Sequence, residues 1–265
     1  MCPCGNPNSA IRILHLYHDL MNLYGDWANA AVLSLELERR GLDAVVDNKS
    51  VGDEIDLRLY DIIYIGAGTE RSQRACMRDM SRYAGRLIER IEAGMHVLAT
   101  GNSHELFGGA VTEARGDRYE TLGLLDFETK QQDSRVTGDC VYRTELIKDK
   151  LIGFVNRAGH GQEGNIERPF VCEMGPGAGD EIHLEGIIYK NLLGTYLTGP
   201  ILVRNPPLMR YIADLIVGKD DTVESAATEE CGLESEPGDN PFFHYQEAAY
   251  KLALRELSAR IGTGK

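Results

Sequence analysis

The sequence predicts an α/β protein: a doubly wound, mostly parallel sheet with helices on both faces and extra antiparallel strands. Two observations predict this fold. Up to about residue 107, short apolar runs that suit buried strands alternate with segments of helical periodicity. Beyond residue 110 the apolar runs become short and are separated by Gly and Asp clusters, which favours additional, partly antiparallel strands.

The first part of the chain alternates strands with helices. Gly41 and Gly94 directly follow the two longer helical segments, and glycine is a common helix stop. The predicted strands are 11–17, 44–46, 61–66 and 95–100. The predicted helices are 27–40, 73–93 and 104–107.

The later part of the chain contains further predicted elements, and the whole chain divides into four regions. Short strands are predicted at 135–143, 151–156, 170–173, 186–191 and 194–197, and helices at 207–217 and 241–261. Residues 219–239 hold eight acidic residues and one Lys, which is typical of a flexible linker. We therefore predict a disordered N-terminus (1–10), one large domain (11–218), an acidic linker (219–240) and a C-terminal helix (241–265).

Charge and composition exclude several classes of function. The 265 residues carry 28 Lys and Arg against 41 Asp and Glu, a net charge of -13, which argues against a nucleic-acid groove. Neither a run of about 18 apolar residues nor a signal peptide is present, so the sequence predicts a cytoplasmic protein without membrane insertion. The six cysteines are interpreted as free thiols, and Cys2 and Cys4 lack a second pair at zinc spacing, so no metal site is predicted.

Two turns follow predicted parallel strands, at the sheet edge where such folds place ligands. In the first, Gly66 and Gly68 either let backbone N–H groups hold an anion or oxyanion, or simply form a tight turn. A phosphate loop is disfavoured because no Lys-Ser/Thr pair closes it. The second turn, 100–105, joins a strand to a short helix at Gly101, the arrangement that displays a nucleophile in hydrolases.

Several segments together resemble one known family. They are HDLMNLYGD at 18–26, GAG at 66–68 with Gln73, GLLDF at 123–127, RVTGD at 135–139, LIGFVN at 151–156 and EGIIYKNLLGTYL at 185–197. In this order they are similar to GatD, the glutaminase subunits of lipid II isoglutaminyl synthase, over about residues 11–218. These subunits are class I glutamine amidotransferases of the cobyric acid synthase type, and the resemblance implies their fold.

The resemblance also implies a reaction and a partner. In this family a cysteine at the elbow attacks the side-chain amide of glutamine, backbone N–H groups stabilise the oxyanion, and a later histidine assists. The ammonia passes to MurT, a Mur-ligase-like partner in a heterodimer, which uses ATP to activate a glutamate of lipid II. ATP and Mg²⁺ are thus implied for the partner, and no cofactor is implied for this chain.

The residues that carry the family's chemistry are replaced here. Gly101 stands at the nucleophile position, and Thr198 stands at the catalytic histidine in the run GTYLTGP. Asn102 and Glu105 depart from the family's Gly and Gln, and Arg157 replaces another family histidine. Because thiolate and imidazole work as a unit, their joint loss predicts a pseudo-glutaminase.

Parts of a binding pocket are retained. Arg135 matches the family's arginine that holds the carboxylate of glutamine, a role suited to a planar bidentate donor, although it could also be a surface arginine at a strand start. Gly66 and Gly68 match the oxyanion side. An alternative function is therefore a sensor that binds glutamine without cleaving it.

A second alternative is hydrolysis through another nucleophile. Shifted by two positions, GNSHE at 101–105 imitates a serine-hydrolase elbow with Ser103 as nucleophile and His160 or His183 as base, but Ser103 could equally cap the short helix. Cys76 and Cys140 are interpreted as core thiols rather than nucleophiles.

Overall fold

The computed structural model describes residues 10–176, 184–218 and 240–261. The predicted disordered tail before residue 10, the acidic segment 219–239, and Cys2, Cys4 and His183 lie outside the described residues.

Strands and helices alternate through the first hundred residues, as predicted. The strands are β1 Ile11–Leu16, β2 Ala44–Lys49, β3 Ile62–Ile65, β4 His96–Thr100, β5 Ala110–Thr112, β6 Arg118–Glu120, β7 Phe127–Thr144, β8 Leu151–Gly164, β9 Phe170–Met174, β10 Leu184–Glu185, β11 Ile187–Tyr189, β12 Leu192–Thr195 and β13 Leu197–Thr198. The helices are α1 Trp27–Arg39, α2 Glu70–Met80, α3 Ala84–Glu92, α4 Ile201–Arg204, α5 Pro206–Val217 and α6 Pro241–Ile261, with 3-10 turns at Leu23–Gly25, Leu57–Leu59 and Gly101–Phe107.

The main sheet has six strands in the order β11-β12-β4-β3-β1-β2. All neighbours pair in parallel except β11, which is antiparallel to β12. The chain runs from β1 outward to β2 and then returns to β3 on the other side of β1, so the winding direction reverses between β1 and β3. The predicted doubly wound, mostly parallel sheet is confirmed, and the reversal marks the edge where ligands bind in such folds.

Apolar side chains cover the sheet on both faces because successive residues of a strand point to opposite sides. On β1, Leu14 and Leu16 belong to the core beneath α2 and α3, whereas Ile13 belongs to the core beneath α1 and α5. This explains why the strand sequences are continuously apolar rather than alternating.

A second sheet of seven strands rises from the carboxyl end of the main sheet, built on the long antiparallel pair β7 and β8. It confirms the predicted extra antiparallel strands. The ladder between β7 and β8 is irregular from Gln131 to Val136, and Arg135 lies in this irregularity. Strand β13 pairs with β8 and brings Thr198 opposite Phe154. The hairpin thereby carries side chains to the edge of the main sheet.

The prediction of one helix over 73–93 is wrong. Helix α2 begins earlier, where Thr69 accepts a hydrogen bond from the Ser72 N–H at 3.0 Å, and the helix ends at Met80 before α3 begins. The break places the Tyr83 hydroxyl 2.6 Å from that of buried Tyr17, whose hydroxyl also donates to Asp79 at 3.0 Å. A buried tertiary contact therefore overrides continuous helical periodicity.

Helix α6 packs against the domain rather than standing apart. Tyr250 and Leu257 are buried with Val141 and Ile152 of the long hairpin. The Tyr250 hydroxyl donates to the Lys150 carbonyl oxygen at 2.6 Å. Among the described helices, α6 included, none combines the length and apolar character needed to cross a bilayer.

Docking of α6 leads to a stability prediction. Leu257 is 6% exposed and Leu252, on the same helix, is 53% exposed. We expect Leu257→Ala to lower the free energy of unfolding by about 2–5 kcal/mol, because it opens a cavity against the hairpin. The control Leu252→Ala is expected to change it by less than about 0.5 kcal/mol. Thermal or urea unfolding measures both, and equal effects would show that α6 is not docked.

Candidate functional site

The turns that follow β1, β3 and β4 meet at the carboxyl edge of the parallel sheet. The loop after β1 reaches α1, the turn after β3 contains Gly66 and Gly68, and the 3-10 turn Gly101–Phe107 follows β4. The β7–β8 hairpin closes this crevice from the other side. The crevice brings together several residues that the sequence singled out: Gly68, Asn102, Glu105, Arg135, Arg157 and Thr198.

Gly101 occupies the elbow between β4 and the 3-10 turn, with a φ of +62°. This left-handed conformation is the one expected of a displayed nucleophile. A Cβ built on Gly101 would lie 2.4 Å from the Ala67 Cβ and 3.5 Å from Thr198 Cγ2. The space of a side chain at position 101 is thus filled by the methyl group of Ala67.

Thr198 faces the elbow but does not offer it a proton-transfer group. Its hydroxyl donates to the backbone carbonyl oxygen of Phe154 at 3.0 Å, and the residue is 3% exposed. A hydroxyl bound to a carbonyl cannot accept and return a proton as an imidazole does. Gly101 and Thr198, which the sequence predicts at the family's nucleophile and histidine positions, are therefore adjacent, and neither carries a thiol or an imidazole.

The turn after β3 has its backbone N–H groups occupied. The Ala67 N–H donates to Asp26 Oδ2 at 2.6 Å, and the Gly68 N–H donates to Asn102 Oδ1 at 3.0 Å. A Cβ on Gly66 would lie 2.4 Å from the Met21 carbonyl oxygen, so glycine is needed because the loop after β1 lies against this turn. Close approach, and not only the turn itself, explains the glycine there.

Asp26 links the loop after β1 to this turn. It is fully buried, and burial raises the pKa of its carboxyl to about 7, an effect opposed by the backbone N–H groups of Ala67 and Gly199. The sequence placed Asp26 at the end of a family motif but assigned it no role. The structure shows a packing role: the Asp26 carboxyl group accepts the Ala67 N–H and so connects the loop after β1 to the turn after β3.

A polar cluster fills the space behind the elbow. Fully buried Glu105 accepts from Gln73 Nε2 at 2.7 Å and from the Tyr196 hydroxyl at 2.9 Å. Gln73 Oε1 in turn accepts from Gln131 Nε2 at 2.9 Å. Burial raises the pKa of Glu105, while these donors oppose the shift. Arg157 lies beside the cluster with its guanidinium 4.9 Å from the centre of the Tyr196 ring.

Arg135 is engaged by side chains of the protein itself. Its Nη1 donates to Glu70 Oε1 at 2.6 Å, its Nε donates to Asn156 Oδ1 at 2.6 Å, and its Nη2 donates to the Asn156 carbonyl oxygen at 3.0 Å. Its side chain is 41% exposed. The guanidinium therefore already has a carboxylate partner at the mouth of the crevice.

Little free space remains in the crevice. It is lined by residues that include Tyr24, Ala67, Glu70, Asn102, Arg135 and Thr198, and it leaves about 10 Å³ for the centre of a water-sized sphere. That volume holds about one water molecule. A free amino acid does not fit without movement of the lining side chains.

Ser103 is not arranged as a nucleophile. It is fully buried, and its hydroxyl lies 2.9 Å from the Ile65 carbonyl oxygen and 2.8 Å from that of Thr100. The neighbouring imidazole of His104 donates from Nδ1 to the Gly101 carbonyl oxygen at 2.6 Å. His160 lies in β8 opposite Lys130. The bond to Thr100 ties Ser103 into the first turn of the 3-10 segment.

The thiols weighed as nucleophiles are buried. Burial raises the pKa of both Cys76 and Cys140 to about 12, so both are protonated and unreactive at neutral pH. Within the described residues, no three His, Cys, Asp or Glu side chains are grouped so that they could hold a metal ion.

The doubly wound sheet, with a crevice at the sharp turn after β4, places this protein in the class of glutamine amidotransferases. The chain is a member of the family with a CobB/CobQ-like glutamine amidotransferase domain, whose model matches residues 12–206. A solved structure described as a crystal structure of glutamine amidotransferase shares the fold, with a TM-score of 0.53 at 16% identity over 77% of this chain and 98% of that chain.

The curated relatives narrow the comparison. The chain is 33% identical over 209 residues to the lipid II isoglutaminyl synthase (glutamine-hydrolyzing) subunit GatD of Staphylococcus aureus (strain N315), covering 77% of this chain and 83% of that protein. It is 34% identical over 206 residues to the GatD subunit of Streptococcus pneumoniae (strain ATCC BAA-255 / R6), covering 77% and 79%. The similarity thus spans most of this chain and most of each GatD subunit, and it confirms the resemblance to GatD.

Proposed function

We propose that this chain is a non-hydrolysing GatD-like subunit of a complex that amidates lipid II. The observation that carries the proposal is the elbow itself. Position 101 has the backbone of a nucleophile elbow but no side chain, and the Ala67 methyl occupies the adjoining space.

Loss of glutaminase chemistry follows from the groups that remain. Amide hydrolysis by this type of elbow needs an attacking atom, a proton carrier and free N–H donors for the oxyanion. Gly101 and Thr198 supply neither of the first two. The N–H groups of Ala67 and Gly68 are bonded to Asp26 and Asn102. These three observations support the proposed loss of hydrolysis.

The proposed partner is a Mur-ligase-like subunit, MurT in the resembled family. In this heterodimer the partner binds ATP, Mg²⁺ and the lipid II acceptor, and this chain contributes a folded surface rather than ammonia. The ligase then takes free ammonia. The proposed location is the cytoplasm, which fits the free thiols of Cys76, Cys140 and Cys172.

Two measurements on the tagged native protein test this function. We expect a Mur-ligase-like protein to co-purify with it, and we expect the complex to amidate lipid II with ammonia but not with glutamine. Glutamine-dependent amidation by the purified complex would overturn the inactive assignment. Absence of any ligase partner would overturn the assignment as a subunit.

Ser103→Ala separates the inactive subunit from a serine hydrolase. We expect glutamate release from glutamine to stay at background in both the wild type and Ser103→Ala. The substitution should cost about 1–3 kcal/mol of stability, because it removes a buried hydroxyl whose single proton lies within hydrogen-bond reach of the Ile65 and Thr100 carbonyl oxygens. Hydrolysis that is present in the wild type and absent in Ser103→Ala would assign Ser103 as the nucleophile.

A further inference from the structure

The crevice contains two protein groups that match the functional groups of a glutamine molecule. One is the side-chain amide of Asn102, whose oxygen accepts the Gly68 N–H at 3.0 Å. The other is the carboxylate of Glu70, which accepts from Arg135 Nη1 at 2.6 Å. An amide carbonyl and a carboxylate therefore already lie on the two donors that the resemblance to GatD assigns to glutamine.

Asn102 is held in this place by the turn it belongs to. It directly follows the elbow residue Gly101, and its own carbonyl oxygen accepts from Gln73 Nε2 at 2.7 Å. Its Nδ2 is buried and has no hydrogen-bond partner among the described residues. A buried donor left unpaired is costly, so the side chain is retained here by the bond its oxygen makes.

Glu70 lies at the mouth of the crevice, and its side chain is 36% exposed. It is the first residue of α2, next to the capping Thr69, so its backbone is set by the helix start. Its partner Arg135 is anchored on the far side by two hydrogen bonds to Asn156. The ion pair thus connects α2 to the β7–β8 hairpin across the mouth of the crevice.

We infer that these side chains seal the crevice against free amino acids, glutamine included. The inference rests on the proposed function, since it concerns the same site, and it decides between a sealed subunit and a glutamine sensor. A ligand must displace both Asn102 and Glu70, because the crevice has room for about one water. We expect this competition to weaken glutamine binding at least about 100-fold relative to an opened crevice.

Calorimetry with L-glutamine tests the seal directly. The wild type is expected to give no binding heat at millimolar glutamine, and Asn102→Gly/Glu70→Ala is expected to bind, because it frees the Gly68 N–H and the Arg135 guanidinium together. The control is Glu120→Ala, an exposed carboxylate in β6, combined with Asn102→Gly. It keeps the Arg135–Glu70 pair and should bind at least about 10-fold more weakly than the opened variant.

The outcomes are distinct. Glutamine binding by the wild type, or no binding by a folded Asn102→Gly/Glu70→Ala variant, overturns the seal.

Amide hydrogen exchange provides a second measurement that needs no variant: the Gly68 amide should exchange at least about 100-fold more slowly than an unstructured amide. Exchange at the unstructured rate overturns the seal as well. Hydrolysis of glutamine would instead defeat the proposed function, so the two failures are separable.

Discussion

Glutaminase activity is expected to stay absent in Gly101→Cys and to appear only when the crevice is rebuilt. The combined variant is Ala67→Gly, Glu70→Ala, Gly101→Cys, Asn102→Gly and Thr198→His. Each change restores one missing requirement: space for a side chain, a free Arg135 guanidinium, the nucleophile, a free Gly68 N–H and the imidazole. Because nucleophile and base act as a unit, we expect Gly101→Cys alone to show under about 1% of the combined variant's glutamate release.

Packing around position 101 is the reason why we expect Gly101→Cys alone to give little activity. The new Cβ would lie 2.4 Å from that of Ala67 in a backbone with a φ of +62°, so the chain must shift. Such overpacking costs about 1–3 kcal/mol, which unfolding measurements on Gly101→Cys should show. Adding Ala67→Gly should recover part of this loss.

The control for this experiment is the same combined variant with Ala in place of Cys at position 101. It keeps the opened crevice and the imidazole but lacks the attacking sulfur, so it should release no glutamate. If Gly101→Cys alone matched the combined variant, the filled crevice would not be what prevents hydrolysis, and the packing account would be wrong.

The second large effect is a pH-dependent gain of stability in Glu185→Gln. Glu185 is 1% exposed at the end of β10 and accepts from Thr195 Oγ1 at 2.8 Å and from the Tyr196 N–H at 2.5 Å. Burial raises the pKa of its carboxyl from 4.5 to about 7, against the opposing effect of these donors and of Arg157 and Arg168.

The sign follows from proton linkage. Between pH 4.5 and about 7 the folded state keeps the proton of Glu185 and the unfolded state loses it, so the stability that this group contributes falls as pH rises. The loss is about 3 kcal/mol once pH exceeds about 7. Gln does not ionise, and its amide oxygen can still accept from the Tyr196 N–H.

We therefore expect the stability of Glu185→Gln relative to wild type to rise by about 3 kcal/mol between pH 4.5 and about pH 8. Urea unfolding at a series of pH values measures this difference. Glu145→Gln makes the same chemical change on a side chain that is 94% exposed and should show no such trend. A constant difference across the pH range would show that Glu185 is not buried as a neutral acid.

The sheet could be predicted from sequence because its signals are local. The strand at 11–17 and the helix at 27–40 are set by apolar runs and by the glycine that follows, and both appear within one residue of the predicted ends. The prediction of a single helix over 73–93 was wrong because the break between α2 and α3 depends on the Tyr17–Tyr83 contact, which joins residues 66 positions apart. Local periodicity does not record such a contact.

The site shows the same division. The sequence predicted that Gly66, Gly68 and Gly101 lie at the sheet edge, because their turns follow parallel strands, and the resemblance matched Arg135 and Thr198 to family residues without placing them there. The hydrogen bonds of Asp26 and Asn102 could not be predicted from the sequence motifs. Their bonds to Ala67 and Gly68 join residues 41 and 34 positions apart, and only the folded chain brings them together.

Hydrogen bonds around the elbow connect the elements that border the crevice. Asp26 ties the loop after β1 to the turn after β3, Asn102 ties that turn to the segment after β4, and Glu70 ties α2 to Arg135 on the hairpin. These contacts favour a rigid scaffold over a site that opens and closes, as the proposed non-hydrolysing function requires.

Covalent trapping tests the central claim most directly. The wild-type protein, alone and with any ligase that co-purifies with it, is incubated with a chloroketone analogue of glutamine and its peptides are mapped by mass spectrometry. We predict that no residue of the turns at 66–68 and 101–107 is modified, while the combined variant is labelled at Cys in position 101. A stoichiometric adduct on any crevice residue of the wild type would contradict the claim that this subunit has lost its nucleophile.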